Sequence, residues 1–158
     1  MKTYDVIGLG NALMDLLVEV DDNKLLEFNL AKGEMHLVEE DQAKLLLEKI
    51  NQHQLKIEKV PGGSAANTLK CISFLGGKSI LCGKVGEDSH GEVYVQEIEK
   101  HGVSSRINKH SSITGHAVTF ITPDSERTFS VHLGAALELY KEDILEEDIQ
   151  KSKVLHLE

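Results

Sequence analysis

The sequence predicts an α/β fold: a mostly parallel sheet flanked by helices, with a small second β-sheet standing off it as a lid. An apolar run without polar alternation at 4–10 has the pattern of a strand buried on both faces, and 78–85 reads as the next strand. Helical stripes lie between them, and strands that alternate with helices imply parallel pairing. Other segments repeat with a period of two and are therefore half exposed, which does not suit a sheet covered on both faces. Those segments define the lid.

After the first buried strand, 13–20 changes pattern: Asp15, Leu17 and Glu19 point one way, Leu16, Val18 and Val20 the other. A helix is predicted over 39–52, where Ala43, Leu46, Leu47 and Ile50 fall at i, i+3, i+4 and i+7. Glu39, Glu40 and Asp41 suit its positive N-terminus. A second helix over 64–75 ends at Gly76-Gly77, which read as C-terminal caps. Gly91, Tyr94, Val95 and Ile98 mark a third helix, stopped near Gly102. Phe129, Val131 and Leu133 then alternate with Thr128, Ser130 and His132 after the turn residues Pro123-Asp124-Ser125, an antiparallel hairpin. A further buried-type strand is predicted at 154–157. The lid strands are placed at about 13–20, 34–38, 55–60 and 115–133, within one α/β domain spanning 1–158.

With 158 residues and 41% apolar content, the chain is long enough for one domain with its own core. A net charge of −9 argues against nucleic acid as a partner, since phosphate backbones attract basic surfaces. Cys71 and Cys82 form neither a CxxC site nor a disulfide framework, which points to a reduced, cytoplasmic protein. Neither a signal peptide nor an apolar stretch of about 20 residues is legible, so no membrane association is expected.

Pro61-Gly62-Gly63-Ser64-Ala65-Ala66-Asn67-Thr68 carries the most chemistry. Paired glycines let backbone approach a ligand where a side chain would block it, and Asn67 lies in the first turn of the helix that follows. Gly8-Leu9-Gly10 imitates a dinucleotide fingerprint, but Leu13 stands where its third glycine belongs and no helix follows. Gly76-Gly77-Lys78-Ser79 imitates the end of a P-loop, but it closes a helix instead of opening one. Gly62-Gly63-Ser64-Ala65-Ala66 is a near miss for a serine-hydrolase elbow, so hydrolysis through Ser64 is kept as a third reading. Asp15 is either a solvated strand residue or a carboxylate that accepts hydroxyl hydrogen bonds. The eight histidines show no metal-ligand spacing, and no metal site is assigned.

Taken in order, these motifs resemble the ribokinase/PfkB family of carbohydrate kinases. The run from Asp5 to Asp15, through Gly8-Leu9-Gly10-Asn11, looks like the family's first strand and the start of its lid. The Gly-Gly-Ser-Ala-Ala-Asn segment matches its signature, continued by Gly76 and by Gly83-Lys84-Val85-Gly86-Glu87-Asp88. Thr122 to Thr128 resembles the lid hairpin, and Gly134-Ala135-Ala136 follows; Leu69 departs from the small residue usual there. The pairing of Asn11 with Asp15 and of Ser64 with Asn67 is most similar to the adenosine-kinase-like branch.

The resemblance implies a ribokinase-like fold whose C-terminal part is missing from these residues. It implies ATP and Mg2+ as cofactors and phosphoryl transfer to the hydroxymethyl group of a ribose-like sugar or nucleoside. Asp15 would hold sugar hydroxyls, Gly62, Gly63, Ser64 and Asn67 would line the ribose side, and Asn11 would help to place the substrate. A carboxylate and an amide together supply the acceptors and donors that hydroxyls need. The family's catalytic base lies in a glycine–alanine–glycine–aspartate turn, which does not occur here and is expected beyond Glu158. The first reading is therefore the substrate-binding portion of a kinase, inactive by itself, which self-associates or needs a missing C-terminal half. The alternative is a non-catalytic ligand-binding or assembly module on the same fold.

Overall fold

A computed structural model describes residues 2–158. In chain order its elements are β1 (Tyr4–Leu9), β2 (Met14–Glu19), α1 (Asp22–Glu27), β3 (Met35–Leu37), α2 (Glu40–Gln52), β4 (Ile57–Pro61), α3 (Ser64–Phe74), β5 (Ser79–Gly86), α4 (Ser89–Lys100), β6 (Val103–His110), β7 (His116–Ile121), β8 (Arg127–His132), α5 (Glu146–Gln150) and β9 (Ser152–Leu157). Two 3₁₀ turns, Gly134–Glu138 and Lys141–Asp143, precede α5. The chain divides into two compact units and passes between them four times: residues up to 14, 61–115 and 133–158 form the larger, 15–60 and 116–132 the smaller.

The larger unit is built on a parallel sheet of order β6-β5-β1-β9. All eight residues of β5 are buried, Ser79 and Lys84 included. Helix α3 packs on β1 and β5, and α4 on β5 and β6, burying Ala65, Ala66, Leu69, Tyr94 and Ile98. Ile7, Ile80 and Cys82 form a cluster with Tyr4, Leu9 and Ile149. Burial pushes the Cys82 thiol up to about 11, with the Asp148 carboxylate adding to the effect, so it stays a neutral core group. The two sheet edges differ. Strand β6 carries Ser104, Ser105, Arg106, Asn108 and Lys109, whereas β9 exposes Val154, Leu155 and Leu157. The burial expected for 154–157 is therefore corrected: the strand forms at the edge, and its apolar side chains face solvent.

The smaller unit is a five-stranded sheet of order β3-β8-β7-β2-β4. Strands β7 and β8 are antiparallel, as the turn residues predict, and β3 lies parallel to β8. Its covered face packs on α1 and α2: Phe28 stacks at 5.6 Å on Phe120, and Leu25, Ala43, Leu46 and Ile50 are buried with Leu16 and Val18. Asp15 and Leu17 alternate with these and are half buried, while Glu19 is exposed. Helix α2 starts where the acidic cluster places it, and the Glu39 N–H donates to Gln42 Oε1 at 3.1 Å.

Four features escaped the sequence reading: α1, β6, α5 and the 3₁₀ turns. Helix α1 is too short to show a full apolar stripe; its start is fixed by Asp21, whose Oδ1 accepts from the Lys24 N–H at 2.8 Å. Strand β6 is masked by the polar side chains that protect an edge.

The Gly83–Asp88 run is mostly a structural knot. Asp88 caps α4 by accepting from the Gly91 N–H at 2.9 Å, and it accepts both the Thr114 N–H and the Thr114 hydroxyl at 2.7 Å. That hydroxyl oxygen in turn accepts the Gly86 N–H at 2.9 Å. Burial would raise the Asp88 pKa, but the hydrogen bonds from Thr114 and Gly91 outweigh it and hold the group below its ordinary value. A depressed carboxylate stabilises the fold above its unfolded pKa of about 3.9, and that contribution is lost as the pH falls through the folded value. Asp88→Ala should cost about 2–4 kcal/mol in urea unfolding, because a helix cap goes and a buried donor is stranded. The gap in stability between the unmodified chain and Asp88→Asn should narrow below about pH 4. A gap that stays constant down to pH 3 would mean that the ionised carboxylate is not what holds this knot.

Candidate functional site

In open parallel sheets ligands collect beyond the carboxyl ends of the strands, where successive connections leave in opposite directions. Here that point lies between β1 and β9, since β5 and β6 lie on one side of β1 and β9 on the other. A cavity of about 550 Å³ opens there, lined by Leu9, Gly10 and Asn11 after β1, Leu157 and Glu158 at the end of β9, and Ala136. Asn11 is exposed, so its amide is available to a ligand.

Close contact fixes the glycine pair against the segment after β1. The Gly62 N–H donates to the Leu13 carbonyl at 2.8 Å. Gly63 has φ +88°, and a Cβ there would sit 2.3 Å from the Asn11 carbonyl oxygen. No other residue type meets both conditions. Gly10 is tied to the same helix, since a Cβ there would stand 2.7 Å from that of Ala65. The fully buried Tyr94 donates its hydroxyl to the Gly62 carbonyl at 3.0 Å, and Lys70 Nζ reaches the Pro61 carbonyl at 2.8 Å.

Gly63 is also the N-cap of α3 and contributes no side-chain acceptor to the helix's first N–H groups. Ser64 and Asn67, three residues apart, share the exposed side of that first turn, while Ala65, Ala66 and Leu69 are buried. Thus Asn11, Gly62 and Gly63 are brought together, and Ser64 and Asn67 follow on the turn they start. Asp15 lies half buried on β2 in the smaller unit, two residues beyond the Leu13 that accepts from Gly62.

Sequence reasoning missed two supports. Tyr94 was assigned only to a helical stripe, although its hydroxyl positions the glycine turn. Lys84, at the carboxyl end of β5, pairs with Asp143 at 2.6 Å and lies 5.5 Å from the Tyr140 ring centre. Asn108 Nδ2 donates to the same carboxylate at 3.0 Å. The Lys84 ammonium, then the Tyr140 N–H, hold the Asp143 carboxyl below its usual range. A lysine inside an otherwise apolar strand was the available signal.

The hydrolase reading of Ser64 is not supported, since the family match below is to carbohydrate kinases. No group of three or more His, Cys, Asp or Glu among the described residues is placed to hold a metal ion. No helix among them is long and apolar enough to cross a membrane.

The sequence matches the pfkB family carbohydrate kinase pattern over residues 28–158. A probable fructokinase-5 of Arabidopsis thaliana is 37% identical over 102 residues, covering 62% of this chain and 32% of that protein. The crystal structure of adenosine kinase from Sinorhizobium meliloti superposes with a TM-score of 0.84 at 34% identity, over 98% of this chain and 46% of that one. A probable sugar kinase from Rhizobium etli gives 0.86 at 30% identity, over 99% and 47%. The chain thus spans half or less of the length of these relatives. With an α/β fold whose parallel sheet is flanked by helices, and with the signature glycines seated at its switch point, this chain belongs to the pfkB family of carbohydrate kinases.

Proposed function

We propose that residues 1–158 are the substrate-binding portion of an ATP-dependent sugar or nucleoside kinase, with an adenosine-like substrate favoured over a free sugar. The observation that carries this reading is the Gly63–Asn11 contact at the end of β1, which leaves backbone and the Asn11 amide open where a side chain would intrude. The 34% identity to a protein named adenosine kinase supports the nucleoside. Recognition would draw on Asn11, Gly62, Gly63, Ser64 and Asn67 of the larger unit, and on Asp15 of the smaller unit, which would serve as the lid. Asp15 would accept two sugar hydroxyls while the amides of Asn11 and Asn67 donate or accept the others. The setting would be the cytoplasm, with no nucleic acid as partner.

ATP and Mg2+ enter through the family and would supply the phosphoryl group and its charge neutralisation. The residues around the switch-point cavity do not fit a triphosphate, because Asn11 and Glu158 are the polar side chains among them and none is a cation. The cavity is therefore read as a substrate site and not as a nucleotide site. A non-catalytic ligand-binding or assembly module on the same fold is the second reading.

Three outcomes test this. Calorimetry should detect adenosine binding to the 158-residue chain, weakened at least ten-fold by Asp15→Ala, since a charge-assisted hydrogen bond contributes about 1.5–3 kcal/mol. Equal affinity in a folded Asp15→Ala protein would remove this carboxylate from the site. With ATP, Mg2+ and adenosine, a contaminant-free preparation should show no phosphorylation; turnover lost with Asn11→Ala would place the missing base within these residues. In sedimentation the chain should associate as its concentration rises, because β9 offers an unpaired, apolar edge. A compact monomer at high concentration would refute that expectation.

A further inference from the structure

The smaller unit contains a cavity of about 550 Å³ that the kinase reading does not use. Phe28, Leu30 and Leu46 supply apolar lining, and His36, Lys49 and Ser130 supply polar groups. The volume lies within the range of small-molecule sites, and the lining mixes apolar side chains with polar ones, Asn29 and Gln42 among them.

Its charge sets it apart. None of the residues lining it is Asp or Glu, in a chain with 26 acidic residues against 17 basic ones. Two other cavities of the unit are both lined by Glu19, with Asp21 in one and Glu58 in the other. Lys49, like Lys56, differs from the paired lysines of this unit. Lys24 is paired with Glu27, Lys32 with Asp22 and Asp124, and Lys44 with Glu40, whereas Lys49 has no ion pair among the described residues. A lysine in the last turn of α2 is favoured by the helix dipole, which accounts for its presence there. The dipole does not account for a lining free of carboxylates. Ser130, 2% exposed, and His36 are register partners on β8 and β3, so both present hydrogen-bonding groups at one level of the cavity.

We propose that this cavity binds a small amphipathic anion: an apolar body bearing one carboxylate or phosphate group, whose charge is received by Lys49. The apolar body would lie against Phe28, Leu30 and Leu46, and Ser130 would donate to the anionic head. The proposal is independent of the kinase reading, because it uses no residue of the substrate site.

The test is calorimetric titration of the 158-residue chain with decanoate, decyl phosphate and decanol, probes that share a chain and differ in the head. One or both anions should bind at least ten-fold more tightly than decanol, as expected for a charge-assisted contact, and the better head identifies carboxylate or phosphate. Lys49→Gln should abolish that preference while leaving the melting temperature and the decanol affinity unchanged. Leu45→Glu, at an exposed position on the cavity lining, should weaken the anions and spare decanol. Equal binding of all three probes, failure of both anions to bind at millimolar concentration, or a preference that survives Lys49→Gln in a folded protein would each overturn the proposal.

Discussion

The contact between Gly63 and the Asn11 carbonyl is the constraint on which the site depends. A Cβ at Gly63 would stand 2.3 Å from that oxygen, and φ is +88°, so steric exclusion and backbone conformation both demand glycine. From this contact the other positions follow. The Gly62 N–H reaches Leu13, α3 begins at Ser64 without a side-chain cap, and the residues after β1 are held at the cavity. Tyr94 secures the opposite side of the turn through the Gly62 carbonyl. A backbone group held against backbone is insensitive to rotamer motion, and that rigidity is what a positioning site requires.

The charged groups divide by depth. Lys24–Glu27, Lys44–Glu40 and Lys151–Glu147 are solvent-exposed helical pairs at i,i+3 and i,i+4 spacing, where solvent screening leaves little net stabilisation. Lys84–Asp143 is a different case, with side chains only 9% and 16% exposed. Replacing both partners with apolar residues is often neutral at such a site, whereas removing one leaves an uncompensated charge at a cost of about 3–5 kcal/mol. The pair's role is therefore better described as register than as stability. It fixes the Lys141–Asp143 turn to β5 and Asn108, and the chain on either side of that turn, Leu139 and Ile144, lines the switch-point cavity.

What was legible in the sequence follows from the range of the forces involved. The strand at β5, the alternation of β2 and the stripe of α2 are local consequences of hydrophobic patterning, and they appear in the chain where they were predicted. The glycine pair was legible as a motif, but its reason was not: the atom that forbids a side chain belongs to Asn11, distant in sequence. Tyr94 and Lys84 were hidden for the same reason, since their partners Gly62 and Asp143 are set by topology. Strand β6 was lost because the polar residues that suit an edge erase the apolar signal of a strand. Strand β9 was recognised but misjudged in burial, because a run such as Val154-Leu155 reports the capacity to be covered and not the presence of a cover.

The contrast between the two sheet edges takes that argument a step further. Both β6 and β9 pair on one side only, yet their outward chemistry is opposite. Strand β6 places Ser, Arg, Asn and Lys along its free edge, and charged or polar edge residues disfavour pairing with a further strand. Strand β9 has Val154, Leu155 and Leu157 at 54%, 44% and 63% exposure. Asp148 sits beside it at 2% exposure, held by Arg106 at 2.8 Å, and its carbonyl accepts the Ser152 hydroxyl at the start of the strand. The approach to β9 is thus firmly anchored although its apolar side chains are bare. Anchored backbone and exposed apolar side chains thus coexist along β9, whose carboxyl end borders the switch-point cavity.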